Sequence, residues 1–150
     1  MKKLSLPPLI KYLEAYSVFA DNRIKEISKN EYRIISSDKR KEYLVKIKFE
    51  LGKILVFSND NGTILKNYIG YPIIAVLIYK NVLKLPKNIE VLKNIEWKKL
   101  NEKFKNYDKV INYLKEKIGN TIDEIIEFSK ENEKILKSLN IVFEEANKFE

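Results

Sequence analysis

The sequence predicts an α+β fold: an antiparallel β-meander of three to five strands packed with an N-terminal helix and a buried helix, followed by a C-terminal helical hairpin. Three observations predict it. Between Glu31 and Ile69 apolar residues alternate with polar ones at a period of two, as in strands with one covered face. Before residue 21 and beyond residue 96 the apolar period is that of a helix. Glycine and proline, four of each, are scarce and fall at the borders of these segments. A chain of 150 residues suits one domain. The sheet-containing part spans about 1–85 and the hairpin about 89–150, joined by Leu85-Pro86-Lys87-Asn88.

Pro7-Pro8 sit where proline can open a helix. Leu9, Leu13, Tyr16, Ala20 and Ile24 then recur at helical spacing, and Asp21-Asn22 marks the end of a helix over about 8–20. RIKEIS, just beyond, fits helix or strand. EYRIISS, KEYLVKIKF, KILVFS and TILKNYI follow as strands divided by turns. Gly52 and Gly62 each end a three-residue turn in this reading, and the turns set a register. Ile34 pairs with Val45 and Tyr32 with Ile47. Phe57 lies between Val45 and Leu65, and Leu55 beside Ile47. The core face is then Tyr32, Ile34, Tyr43, Val45, Ile47, Leu55, Phe57 and Leu65. The other face carries Arg33, Lys46, Lys48, Lys66 and Tyr68 among Ile35, Leu44, Ile54 and Val56.

Asn59-Asp60-Asn61-Gly62 resembles a calcium or phosphate loop only at first sight. An EF-hand with Gly62 at its sixth position would need carboxylates at Phe57 and Tyr68. No Gly-Lys-Ser/Thr follows to make a P-loop. The segment is therefore expected to be a hairpin turn.

Gly70-Tyr71-Pro72 seats proline in the first turn of the next helix, and IIAVLIYKNVL is apolar almost all round, so it is expected to be buried. Trp97, Leu100, Phe104, Tyr107, Ile111, Leu114 and Ile118 define one continuous helix stopped by Gly119. Thr121 to Glu124 form a capping box for the last helix. Its seam of Ile125, Phe128, Asn132, Ile135, Leu139 and Val142 continues to Ala146 and Phe149. A polar Asn132 in such a seam sets register in coiled coils, which makes Ile125, Phe128, Asn132, Ile135 and Leu139 the expected interface of a homo-oligomer or protein partner.

The chain contains neither Cys nor His. It therefore lacks the usual ligands of zinc, haem and iron–sulfur clusters, the thiol nucleophile and the Ser–His pair. Catalysis would fall to Asp, Glu, Lys, Tyr or Arg, and no motif arranges them. No cofactor or metal is expected. Asp123, Glu124, Glu127 and Glu131 form an acidic ridge that the helix dipole alone explains.

Only Arg23, Arg33 and Arg40 are Arg; Lys supplies the other cations. A surface rich in Lys and Glu is thermophile-like. Residues 1–118 carry 25 basic and 13 acidic side chains, against four and eight in residues 119–150. A basic body favours a polyanion, DNA or RNA, and points to a non-enzymatic binding module. The nucleic-acid-binding candidates are Arg33, Lys46, Lys48, Lys66 and Tyr68 on the sheet, and Lys98, Lys99 and Lys103 on the helix after Trp97. The longest uncharged stretch, Asn67 to Tyr79, is too short to span a bilayer, and Lys11, Glu14 and Pro7-Pro8 interrupt any signal-like run. A cytoplasmic protein without membrane partners is expected.

Overall fold

A computed structural model describes residues 1–150. Strands β2 (Ile24–Ser28), β3 (Glu31–Ile35), β4 (Glu42–Glu50) and β5 (Lys53–Ser58) form an antiparallel meander. Two short strands from the chain ends complete the sheet: β1 (Lys2–Lys3) and β6 (Ile141–Phe143). The order is β1-β6-β5-β4-β3-β2, with β5 and β6 parallel and every other pair antiparallel. The fold is thus mixed α+β, with six strands and one parallel pair.

Six helices accompany the sheet: α1 (Ile10–Ala20), α2 (Asn61–Lys66), α3 (Tyr71–Tyr79), α4 (Trp97–Phe104), α5 (Tyr107–Ile118) and α6 (Asn120–Lys137). Helix α3 lies on the sheet, and α1 packs on α3. Helix α6 and a 3-10 turn, Ile89–Leu92, then cover α1. Because α1 is enclosed from several sides, Ile10 and the whole run Tyr12 to Val18 are buried, Glu14 and Ser17 included. The expected burial of α3 is observed from Pro72 to Ile78. Tyr32, Ile34, Val45, Ile47 and Val56 face the helices and are essentially inaccessible. Each such side chain contributes roughly 1.5–3 kcal/mol of burial.

The structure corrects several sequence-based expectations. The turn at Gly52 has two residues, Leu51 and Gly52, because Glu50 pairs with Lys53. Val56, not Leu55, therefore sits opposite Ile47, and Ser58, not Phe57, opposite Val45. One residue of slip turns every side chain of β5 over. Leu55 is nevertheless buried, beside Val142 of β6, and a 3-10 turn, Ala146–Phe149, lies on the outer side of β4. Between β3 and β4 the shift is two residues, with Tyr32 opposite Val45 and Ile34 opposite Tyr43, so the faces survive.

Asn59 to Gly62 is not a hairpin turn. The chain leaves β5 at Ser58 and enters α2, where Asp60 is the N-cap and Oδ2 accepts a hydrogen bond from Thr63 N at 3.1 Å. Gly62 does not take the left-handed conformation that the turn required; Asn67 does, at the other end of α2. The expected strand 63–69 is absent, Leu65 is exposed, and Tyr68 forms only an isolated parallel bridge with Ser5.

The helix expected from Trp97 to Ile118 is broken. Lys105 adopts φ 52° and Asn106 caps α5 by accepting from Lys109 N at 3.1 Å. Helix α6 begins directly after Gly119 without a side-chain cap, so the capping box is not formed. It ends at Lys137, and Val142 joins the sheet rather than continuing the helix.

Candidate functional site

A polar cleft of about 330 Å³ opens where five separate segments meet. Helix α1 contributes Lys11 and Glu14, with Arg23 just beyond it. The β3–β4 connection contributes Ser36, Ser37, Asp38 and Lys41, and β4 adds Tyr43 at its start. Asp60, Asn61 and Gly62 come from the β5–α2 junction and Tyr71 from α3. Helix α4 closes the cleft with Trp97, Lys98, Asn101 and Glu102.

Some of these groups are committed to the fold. Arg23 is 3% exposed and donates to Asp21 Oδ2 at 3.2 Å, to the Ile35 carbonyl at 2.7 Å and to Ser17 Oγ at 3.3 Å. Asp60 accepts from Ser58 Oγ, from Thr63 N and from Thr63 Oγ1. Its carboxylate also lies against Gly70, where a Cβ would overlap it. That close approach, not a turn, is why residue 70 has no side chain.

Glu14 is 4% exposed and lies 3.0 Å from Lys11 Nζ through Oε2. Burial pushes its carboxyl above the usual range, and the charges of Lys11 and Arg23 offset part of that push. Burial alone would lower the Lys11 ammonium, but Glu14, with Tyr68 and Tyr107, more than reverses this, so Lys11 stays a cation. Burial raises the phenols of Tyr71 and Tyr43; the next contribution is Tyr43 for the first and Asp60 for the second. Their rings meet edge to face at 6.0 Å. Burial pushes the phenol of Tyr68 up to about 12, with the Lys11 charge opposing part of the rise.

Four buried side-chain polar atoms in the protein have no hydrogen-bond partner: Tyr12 Oη, Glu14 Oε2, Trp97 Nε1 and Asn101 Oδ1. Three of them belong to residues lining this cleft. Glu14 Oε2 still has the Lys11 charge nearby, although the ammonium is poorly directed for a hydrogen bond. Trp97 Nε1, a donor on a side chain only 3% exposed, and Asn101 Oδ1, an acceptor, have nothing. Leaving such a group buried and unpaired costs about 1–3 kcal/mol.

The residues expected to bind nucleic acid lie in three places. Arg33, Lys46 and Lys48 are on the outer face of the sheet. There Arg33 and Lys46 share Glu31 at 3.4 and 3.9 Å, and Lys48 pairs with Glu50 at 3.7 Å. Lys46 also donates to the Ala146 carbonyl at 3.4 Å. Lys66 ends α2 and Tyr68 follows it, so neither is on the sheet face. Lys98, Lys99 and Lys103 are exposed on α4, with Lys99 3.4 Å from Glu96 and Lys103 over the Phe104 ring. Only Lys98 lines the cleft.

The C-terminal seam faces its own chain. Ile125 and Asn132 are buried, and Ile135 and Leu139 pack against the core. Asn132 Nδ2 donates to Tyr16 Oη at 2.9 Å and to the Lys84 carbonyl at 2.8 Å, while Oδ1 accepts from Lys84 N at 2.9 Å. Phe128 lines an apolar groove with Leu83 and Leu85. The acidic ridge of α6 makes ion pairs, including Asp123 with Lys115 at 3.1 Å and Glu127 with Lys130 at 3.0 Å. Nowhere do three acidic side chains gather closely enough to hold a metal ion. No helix is long and apolar enough to cross a membrane.

Glu14, Tyr43, Tyr71, Trp97 and Asn101 were not among the expected site residues. One signal was available: Glu14 is the one charged residue in the run from Tyr12 to Ala20. A family model described as an uncharacterised conserved protein matches residues 4–143. No curated protein and no solved structure matches the chain.

Proposed function

The chain belongs to that family of uncharacterised conserved proteins, and from its own geometry we propose that it is a non-catalytic binding module that holds a small polar ligand in the cleft between α1, β4 and α4. The observation that carries this reading is the pair of unmatched groups, Trp97 Nε1 and Asn101 Oδ1, enclosed on two residues that line the cleft. A ligand that pairs both recovers the desolvation already incurred on folding. Acid–base chemistry has less support. Glu14 and Lys11 are the displaced pair that such chemistry uses, but they hold one another at 3.0 Å. Arg23 and Asp60 are engaged by the fold.

Thermal unfolding in the presence of panels of small polar compounds tests the proposal. At least one class should raise the melting temperature, through binding to the folded state alone. Trp97→Phe, which keeps a ring and removes the N–H, should abolish that rise. A protein whose melting is indifferent to every panel at millimolar concentration would not be a binding module of this kind.

A polyanion partner is the second reading, favoured by a groove beside the cleft. Lys39 and Arg40 of the β3–β4 connection line it together with Lys98 and Lys99. Retention on DNA or RNA at low salt, lost steeply as salt rises, supports this reading. Failure to retain either polymer at low salt removes it.

A further inference from the structure

We infer that the ligand of the cleft is a nucleotide, free or at the end of a strand, with its base against Trp97 and Asn101 and its phosphate at Lys98, Arg40 and Lys41. The inference rests on the proposed binding role of the cleft and names the ligand class. Three observations converge on it.

The first is the chemistry of the walls. The only large apolar surfaces lining the cleft are rings: Tyr43, Tyr71 and Trp97. Everything else there is polar, charged or glycine. Aliphatic ligands gain little from such walls, whereas a flat heteroaromatic ring gains stacking or edge contact.

The second is the pattern of unmatched atoms. Trp97 and Asn101 are four residues apart on α4, so their side chains share a helix face with Cβ atoms about 5–6 Å apart. One supplies a donor without an acceptor and the other an acceptor without a donor. Their complement is an edge with a neighbouring acceptor and donor. Nucleobases carry such edges: adenine offers a ring nitrogen beside its amino group, and guanine an oxygen beside N–H.

The third is the position of the cations. Ser37, Asp38, Lys98 and Glu102 line both the cleft and the adjoining groove, so the two are continuous. Around that junction stand Lys39, Arg40, Lys41 and Lys98, none of which makes an ion pair within the protein. The nearby carboxylates are partly occupied. Asp38 accepts from Ser36 Oγ at 2.7 Å and from Arg40 N at 3.0 Å, and Glu96 pairs with Lys99 at 3.4 Å. Glu102 faces the opening without a partner. Cations therefore exceed acids where a phosphate would leave the cleft. A volume of about 330 Å³ lies at the small end of ligand sites and suits a mononucleotide rather than a larger cofactor.

Titration calorimetry on the full chain tests the assignment. The four common nucleoside monophosphates, a 5′-phosphorylated and a 3′-phosphorylated oligonucleotide, inorganic phosphate and a simple carboxamide are the probes. At least one monophosphate should bind with a preference among bases. Asn101→Leu should weaken it about tenfold and flatten the base preference, and Trp97→Phe should weaken it by a similar factor. Lys98→Glu, an exposed change that leaves the core untouched, should weaken binding at low salt and much less at high salt. If an oligonucleotide end competes with the monophosphate and binds more tightly, the source is a strand; if it does not compete, the source is the free nucleotide. Nucleotide binding that ignores all three substitutions overturns the inference. So does binding of the carboxamide without any nucleotide, an outcome that leaves the cleft a binding site. Silence from every probe, together with no response to the wider panels, overturns both readings.

Discussion

Replacing Asn132 by Leu separates a structural asparagine from one that would face a second copy. In the structure Asn132 is fully buried and makes three hydrogen bonds, two with the Lys84 backbone and one with Tyr16 Oη. Leucine has the same branched shape, with bulkier methyl groups, and removes all three. Tyr16 Oη keeps a partner, because Ser129 Oγ lies 3.0 Å away. The Lys84 N–H and carbonyl lose theirs, and each unmatched backbone group costs about 1–3 kcal/mol, less where water reaches it. Lys84 is on an exposed loop, so partial hydration and the apolar gain of Leu bring the net loss to about 2–4 kcal/mol. For a chain of this size that lowers the melting temperature by about 5–15 °C. Urea unfolding and solution mass, measured on both proteins, give the answer. Equal or greater stability of the leucine variant, or a change in its mass, would refute the assignment of Asn132 to the loop–helix clasp. A coiled-coil seam predicts that opposite result, since an asparagine there sets oligomer number at a cost in stability.

Gly70→Ala places a methyl group into the Asp60 carboxylate and should cost about 1–3 kcal/mol by urea unfolding, since Asp60 is held by Ser58 and Thr63 and has no room to retreat. Glu14→Gln should change the pH dependence of stability. The folded pKa of Glu14 is raised, so its protonated form favours folding fully below the ordinary carboxyl value, and that advantage is lost as pH rises through the folded pKa. Unfolding free energies followed as pH rises from the ordinary carboxyl value should therefore fall less steeply with pH for Gln than for the parent; identical slopes would contradict the raised pKa. Replacing Arg33, Lys46 and Lys48 together by Ala should leave any retention on nucleic acid largely intact, because acidic neighbours already oppose those charges. Replacing Lys98 and Lys99 should reduce it, and an equal effect of the two sets would show the charge to act diffusely.

The meander was legible because Tyr32, Ile34, Val45 and Ile47 alternate with exposed or half-exposed neighbours. In KILVFS both alternations are apolar, so periodicity did not choose a face for β5, and the length of the turn at Gly52 decided it. A hairpin with the polar run Asn59 to Gly62 is locally reasonable. Distant partners won instead: Gly70 against Asp60, and Tyr68 against Gly62. Strand β6 was hidden because Val142 continues a heptad spacing and a three-residue strand has no period of its own. The cleft was illegible for a related reason. It gathers residues from α1, the β3–β4 connection, α2, α3 and α4, and what marks it is the absence of partners for Trp97 Nε1 and Asn101 Oδ1. Missing partners have no sequence signature.

Net charge alone is a poor guide to where this protein would meet an anion. Many of the charges are distributed in opposite-sign pairs along single elements, as in Lys130–Glu127, Lys134–Glu131 and Lys137–Glu133 on α6. Exposed pairs of that kind contribute little to stability and attract no partner strongly. A cation matters more where its field is undivided and adjoins a surface able to hold the rest of a ligand. Lys98 comes nearest to both conditions: it makes no ion pair, although Asp38 shares its field, and it stands at the mouth of the cleft walled by Trp97, Tyr43 and Tyr71. The broken helix is what places it there. With α4 ended at Phe104 and capped by Lys105, its eight residues lie over the cleft on an axis of their own, while α5 packs on both α4 and α6. A continuous helix from Trp97 to Ile118 would tie the direction of Trp97 and Asn101 to the packing of α5, so the left-handed residue at 105 is part of how the fold builds the site.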